Sequence, residues 1–284
     1  MKKLLIAMGS VYLMLMVMIS ASLAQDGPKL IDLRSLAPQG TFTQAQEEPI
    51  FGELSYQSHN ISIRIEKSRV DKSDVYVADI YVSSVEQLKR AFSHGKWSAN
   101  AQKSSVLVND NNAILAITGD YSSLFDKGLV VANGEIIRKS ANSLRHNCLI
   151  YKDGRMETFG RNEMDIDQIP QNNIWQSFLF GPELLQDDGQ YFEEFNSKIG
   201  VANPRSVIGY YAPGHYCFVV VDGRGNGNKG MSMTQLSRFM SQLGCQQAYN
   251  LDGGQSAVMI FNGSIVNSPY KGGRSLNDIV YIGE

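Results

Sequence analysis

Residues 217–251 read CFVVVDGRGNGNKGMSMTQLSRFMSQLGCQQAYNL. A continuous apolar run, 217–221, ends in Asp222-Gly223-Arg224. Over residues 232–243 apolar side chains recur at Met233, Leu236, Phe239, Met240 and Leu243, the three-and-four spacing of one helix face, and Gly244 stops the pattern. Residues 248–251 form a second strand-like run that leads into Asp252. A buried strand, a helix and another buried strand thus follow one another, and both strands end in an aspartate. Ligand sites favour such strand ends in sheets with helical crossovers.

Upstream the pattern is dominated by strands. Residues 61–65 alternate apolar and polar, as a half-buried strand should, and residues 74–82 are another β-rich run. Residues 113–118 form a compact apolar run that predicts a buried strand. Ser84 with Gln87 three residues later predicts a capping box opening a short helix through Phe92. Asn133-Gly134, Asp153-Gly154 and Asn262-Gly263 each separate two apolar runs and predict two-residue hairpins, whose turns need positive φ at both central positions. The expected fold class is α+β: a large mixed, mainly antiparallel sheet system with a few packed helices, forming a single domain over residues 50–284.

The ends of the chain set the setting. Lys2 and Lys3 precede an almost uncharged apolar run, residues 4–23, and Ser22-Leu23-Ala24 fits a signal-peptidase site. Residues 1–24 therefore read as a signal peptide or a retained membrane anchor, since the run approaches bilayer-spanning length. Residues 25–49, with Pro28, Pro38 and Pro49 and no periodicity, read as a linker. The expected location is extracellular or in the cell envelope, secreted or tethered through residues 4–23. With Lys2 and Lys3 set aside, 24 basic residues face 28 acidic ones, a net charge of about −4. That balance argues against nucleic acid as a partner while leaving room for a local arginine cluster. Cys148, Cys217 and Cys245 are far apart in apolar contexts and read as buried thiols, not as a disulfide framework or a zinc site.

Four segments carry candidate chemistry. In Asn250-Leu251-Asp252-Gly253-Gly254-Gln255-Ser256, two adjacent glycines let a ligand approach the main chain, and their N–H groups form a potential anion nest. Asp252 suits a sugar hydroxyl, a cation or acid–base work, or a plain Asx turn. Asp222 and Arg224 leave a strand together, with a guanidinium fork suited to phosphate or to an ion pair with Asp222. Pro204-Arg205-Ser206 holds a guanidinium next to a rigid proline. Thr118-Gly119-Asp120 ends another buried strand in the layout seen at Asp222. His215, just before a core strand, reads as a proton shuttle or a structural loop residue. Three aspartates and two arginines at strand ends suit hydrolysis of an anionic sugar derivative. With no Gly-x-Ser-x-Gly elbow, a serine hydrolase of the α/β type is not indicated.

Taken in order, residues 113–121, Gly181-Pro182-Glu183-Leu184, Pro204-Arg205-Ser206, Val221-Asp222-Gly223-Arg224 and Asn250-Leu251-Asp252-Gly253-Gly254 resemble the blocks of the phosphodiester glycosidase family. The resemblance runs from about residue 85 to the C-terminus. It implies an enzyme that removes N-acetylglucosamine joined through its anomeric carbon to phosphate, here in envelope or extracellular polysaccharide. Asp252, Asp222 and Asp120 are then the catalytic candidates, and Arg205, Arg224, Gly253, Gly254, Ser256, Ser206, His215 and Thr118 the substrate-binding ones. No cofactor is required, although the aspartates admit a divalent cation. Thr118 stands where the family usually has Asn, Gln255 replaces a third glycine, and Ser206 replaces Thr. The first two departures support an alternative expectation, a non-catalytic surface protein that binds phosphorylated glycan during exopolysaccharide assembly.

Overall fold

A computed structural model describes residues 30–140, 144–196 and 199–284. The expected signal peptide or anchor, residues 1–24, lies outside the described residues. Among the described residues no helix is long and apolar enough to cross a membrane.

The strand–helix–strand reading of residues 217–251 holds. His215–Val221 and Gln247–Asn250 both pair antiparallel with Arg205–Ala212, which lies between them, so the two outer strands run parallel. Met233–Gln242 is the crossover helix, opened by a capping box between Ser232 and Gln235 and followed by Gly244 at φ 83°. Its Leu236 and Met240 pack on Val207, Val219 and Ala248, closing one face of the sheet. Four further strands, Ser73–Val82, Ile61–Val70, Ser55–Gln57 and Ile50–Phe51, extend this sheet to seven.

A five-stranded antiparallel sheet covers the opposite face, in the order Ser264–Ile265, Met259–Phe261, Leu115–Thr118, Asp278–Ile282, Leu88–Phe92. The alternation in residues 61–65 now has its physical reason. Ile61, Ile63 and Ile65 point into the core between the sheets, meeting Phe218, Ile117 and Val280, while Arg64 faces water. Burying each such side chain contributes about 1.5–3 kcal/mol. A three-stranded sheet, Met156–Phe159, Asn147–Tyr151 and Ile174–Phe178, packs beside them.

The local differences from expectation are instructive. The Ser84–Gln87 capping box forms, but it closes a single 3₁₀ turn, and Leu88–Phe92 is a strand paired with Asp278–Ile282. Pairing overrides the cap because Arg90 must point inward, where it meets Asp278. Asn133-Gly134 and Asn262-Gly263 adopt positive φ at both residues, as two-residue turns of the primed type require. At Asp153-Gly154 only Gly154 does, and the Tyr151 N–H donates to the Arg155 carbonyl across a three-residue loop. The helix Ser104–Asp110, which buries Leu107 and Val108, is an addition to the sequence reading. The described part of the expected linker is fastened to the domain: Leu33 is buried, and the Gln57 amide donates to the carbonyls of Gly40 and Thr41. All three cysteines are free and buried, with the Cys217 and Cys245 sulfurs 3.7 Å apart. Gly209 makes room for them, because a Cβ there would lie 2.6 Å from one sulfur and 3.0 Å from the other.

Candidate functional site

Sheet register assembles the site. Arg205 is paired with Val221 and Val207 with Asn250, so the Asp222-Gly223-Arg224 and Asp252-Gly253-Gly254 segments leave neighbouring strands at the same end, with Arg205 between them. There they enclose a cavity of about 320 Å³ lined by Arg205, Arg224, Asp252, Gly253, Gly254 and Arg274. Gly119 anchors this end of the strand: its carbonyl accepts the Asp252 N–H at 3.2 Å.

Arg205 is almost wholly buried. Its Nε donates to the Met231 carbonyl at 2.9 Å, and Nη2 to the carbonyls of Ile199 at 2.7 Å and Val201 at 2.5 Å. Burial, and then the neighbouring Arg224 cation, push its pKa down to about 10. Arg224 holds a left-handed backbone at φ 60° and donates Nε and Nη2 to Asn203 Oδ1 at 2.9 and 2.7 Å. Neither guanidinium is paired with a carboxylate among the described residues. Two adjacent cations held by neutral acceptors alone leave a positive field into which an anion fits.

Asp252 faces those cations. Its Oδ2 accepts from Arg274 Nη2 at 2.6 Å, and Arg274 Nε donates to Ser256 Oγ, placing Ser256 in the same network. Burial raises the Asp252 pKa, while hydrogen bonding from Ser256 and the Arg274 charge pull against it. The Tyr121 ring lies beneath Arg274, 5.1 Å from the guanidinium carbon. The two glycines serve differently from expectation. Gly254 N–H is spent on the Pro204 carbonyl at 2.9 Å, so it is not an open anion donor. A Cβ on Gly253 would stand 2.6 Å from that same carbonyl, so the pair exists to let two backbones touch.

The other candidates lie behind or away from this cavity. Asp120 is fully buried, and its Oδ1 accepts the N–H groups of Leu179 and Phe180, both at 2.7 Å. Burial drives its pKa up to about 6 against the pull of Arg90, 3.7 Å away. Asp222 turns from the cavity to hold the 267–268 loop, accepting from Asn267 Nδ2 at 2.8 Å and from the Ser268 N–H. Thr118 and Ser206 are buried within their strands. His215 sits at the far end of its seven-residue strand, roughly 20 Å from the Val221 end at ~3.3 Å per residue. There it stacks between Tyr81 and Tyr211 and bonds Asp79 at 2.7 Å. The aspartates at the strand ends therefore do not share one pocket: Asp252 lines it, Asp120 and Asp222 brace the loops around it.

Sequence reasoning missed Arg274, Arg90 and Asp278. Asp278 Oδ2 accepts from Arg90 Nε at 2.7 Å and from the Asp120 N–H at 3.1 Å, and Oδ1 accepts from the Tyr121 N–H. Gly119 is obligatory for this approach, since a Cβ there would lie 2.4 Å from the Asp278 carboxyl carbon. No local pattern marks Arg274, which follows two glycines in an irregular loop. Among the described residues no group of three or more His, Cys, Asp or Glu side chains is placed to hold a metal ion.

The family model described as phosphodiester glycosidase matches residues 111–283, which includes every cavity-lining residue named above. The chain is 28% identical over 123 residues to the SPbeta prophage-derived uncharacterized protein YomE of Bacillus subtilis, covering 43% of this chain and 19% of that protein. It is 23% identical over 155 residues to the Mus musculus N-acetylglucosamine-1-phosphodiester alpha-N-acetylglucosaminidase, covering 50% of this chain and 30% of the mouse protein. The matched region thus spans less than a third of either relative. In fold it is similar to the catalytic domain of the zebrafish N-acetylglucosamine-1-phosphodiester alpha-N-acetylglucosaminidase, auto-inhibited by its pro-peptide, with a TM-score of 0.64 at 20% identity, covering 85% of this chain and 87% of that one. A hypothetical protein from Synechocystis is more distant, with a TM-score of 0.53 at 13% identity, covering 79% of this chain and 62% of that one. The family model covers well over half of the chain and the zebrafish domain shares its architecture, so this chain belongs to the phosphodiester glycosidase family.

Proposed function

We propose that the chain hydrolyses glycosyl-1-phosphodiester bonds of the N-acetylglucosamine-1-phosphodiester kind, in envelope or extracellular polysaccharide, after export directed by residues 1–24. The observation that carries this reading is the pair of uncompensated guanidiniums, Arg205 and Arg224, facing the same cavity as Asp252. The phosphodiester sits against the arginines, whose charge-assisted bonds strengthen as the leaving phosphate gains charge. Asp252 then acts at the anomeric carbon, as base toward water or as stabiliser of the oxocarbenium-like centre. Ordinary glycosidases pair two carboxylates, one protonating the leaving oxygen. A phosphate leaves without that help, which fits a cavity lined by Asp252 with arginines opposite.

The test is hydrolysis of a methyl-phospho-N-acetylglucosamine diester by residues 25–284, beside Asp252→Asn and Arg205→Ala. Release of free sugar by the parent, lost in both variants and carrying the oxygen of isotopically labelled water at its anomeric carbon, supports cleavage of the carbon–oxygen bond. Release of the sugar 1-phosphate moves the reaction to phosphorus. Binding of such diesters with no turnover overturns the enzyme reading in favour of a glycan-binding surface protein.

A further inference from the structure

A second cavity, about 460 Å³, adjoins the arginine cavity, and Phe180 and Ile199 line both. Ile199 in this shared wall is tied to the first cavity, because Arg205 Nη2 donates to its carbonyl at 2.7 Å. The walls of the second cavity are aromatic, with Tyr121 and Phe125 joining Phe180, and it carries two further arginines, Arg145 and Arg161. The Arg145 guanidinium carbon lies 3.8 Å from the centre of the Phe125 ring, a cation–π contact that holds it at the cavity wall. Neither arginine is paired with a carboxylate among the described residues. Three acids share an adjoining cavity with Arg161: Glu163 accepts the Gly160 N–H at 2.6 Å, Glu183 faces His146 Nδ1 at 3.5 Å, and Glu194 forms no ion pair with either arginine.

A phosphodiester has two arms. With the phosphate at Arg205 and Arg224 and the scissile carbon at Asp252, the other arm has to leave the first cavity, and the second lies next to it across Phe180 and Ile199. Its volume lies in the range of small-molecule sites and exceeds that of the first. Aromatic faces suit the C–H faces of a sugar ring, and free guanidiniums suit an anion. We propose that this cavity receives the arm that departs with the phosphate, and that this arm is a sugar bearing an anionic group of its own, phosphate or carboxylate. The inference rests on the hydrolytic reading for the direction of the arms. It names the substrate class: a glycan with anionic groups on successive units rather than a single isolated phosphodiester.

The experiment is equilibrium titration of residues 25–284 with three probes that cannot be cleaved as diesters: glucose 6-phosphate, glucose 1,6-bisphosphate, and maltose phosphorylated at both ends. The two bisphosphates offer a short and a long span. At least one should bind roughly tenfold tighter than glucose 6-phosphate, the scale of one well-placed charge-assisted contact, and the advantage should shrink with added salt. Replacing both Arg145→Ala and Arg161→Ala should remove the advantage and leave glucose 6-phosphate affinity within about twofold, whereas Arg205→Ala should weaken all three probes. Equal affinities in the parent, or an advantage retained in the double variant, overturn the proposal. Failure of the hydrolytic reading shows separately, as absence of turnover of the N-acetylglucosamine diester.

Discussion

Arg274 Nη2 stands 2.6 Å from Asp252 Oδ2, reaching across from a loop twenty-two residues later in the chain, while its Nε donates to Ser256. The carboxylate that faces the cavity is therefore held in place and its ionised form favoured by a residue on a separate loop. Burial works in the opposite direction. The balance between the two sets the pH at which Asp252 ionises.

Removing Arg274 should tip that balance. In Arg274→Gln the carboxylate loses the cation that lowers its pKa, so it ionises at higher pH. The acid limb of kcat/KM should move alkaline by about one unit or more, while the basic limb stays put. An unshifted acid limb would assign it to a group other than Asp252.

Asp252→Asn should lower kcat/KM by roughly 10²–10⁴-fold, the span of one acid–base group, with an unchanged urea midpoint or a slightly raised one. The stability expectation follows from Asp252 being a buried carboxylate with a raised pKa, whose ionised form folding disfavours. A variant with parental activity would exclude Asp252 from the chemistry.

The two cavity arginines separate binding from folding. Arg224 is exposed and its guanidinium donates to Asn203 Oδ1, so Arg224→Ala should cost roughly tenfold to a hundredfold in kcat/KM with stability changed by about 0.5 kcal/mol or less. Arg205→Ala should lose activity and also stability, because the buried hydrogen bonds from its guanidinium to the carbonyls of Ile199, Val201 and Met231 are removed. Thermal denaturation beside steady-state kinetics distinguishes the two patterns.

Asp120 predicts a pH-dependent stability. Its pKa is about 6 in the folded chain against 3.8 ordinarily, raised by complete burial. The folded state therefore holds the proton more tightly, and the associated stability is full below pH ~4 and lost as pH rises through about 6. The loss is on the order of 3 kcal/mol by linkage. Relative to the parent, Asp120→Asn should gain stability between pH 4 and 7; urea midpoints that stay parallel across that window would exclude this titration.

Gly253→Ala should destabilise the chain and abolish turnover, because its Cβ meets the Pro204 carbonyl at 2.6 Å and two backbones must separate. Gly244→Ala is the control. Nothing lies within 4 Å of its Cβ, so it pays only for the left-handed φ of 83°, about 1–2 kcal/mol, and should keep its activity.

Local chemistry explains which parts of this were legible in the chain. The 233–242 helix, the core strands on either side of it and the turns at Asn133-Gly134 and Asn262-Gly263 depend on side-chain period, capping and backbone φ, which act within a few residues. Arg205, Arg224 and Asp252 were legible because each sits at the end of an apolar run, and strand register brings those ends together. The helix expected through Phe92 failed because the inward demand on Arg90 comes from Asp278, 188 residues away. Asp120 and Asp222 follow the same sequence pattern as Asp252, and nothing local distinguishes a carboxylate that lines a cavity from one that ties down a loop. That choice depends on which backbone N–H groups the fold brings within reach: Leu179 and Phe180 claim Asp120, Ser268 claims Asp222, and Asp252 is left to Arg274 and the cavity. The sequence by itself determined the strands, the crossover and the residues at their ends, since these follow from short-range periodicity. Only the tertiary structure decided which of those ends face solvent and which are spent on the scaffold, because buried polar groups are satisfied by partners that chain order does not reveal.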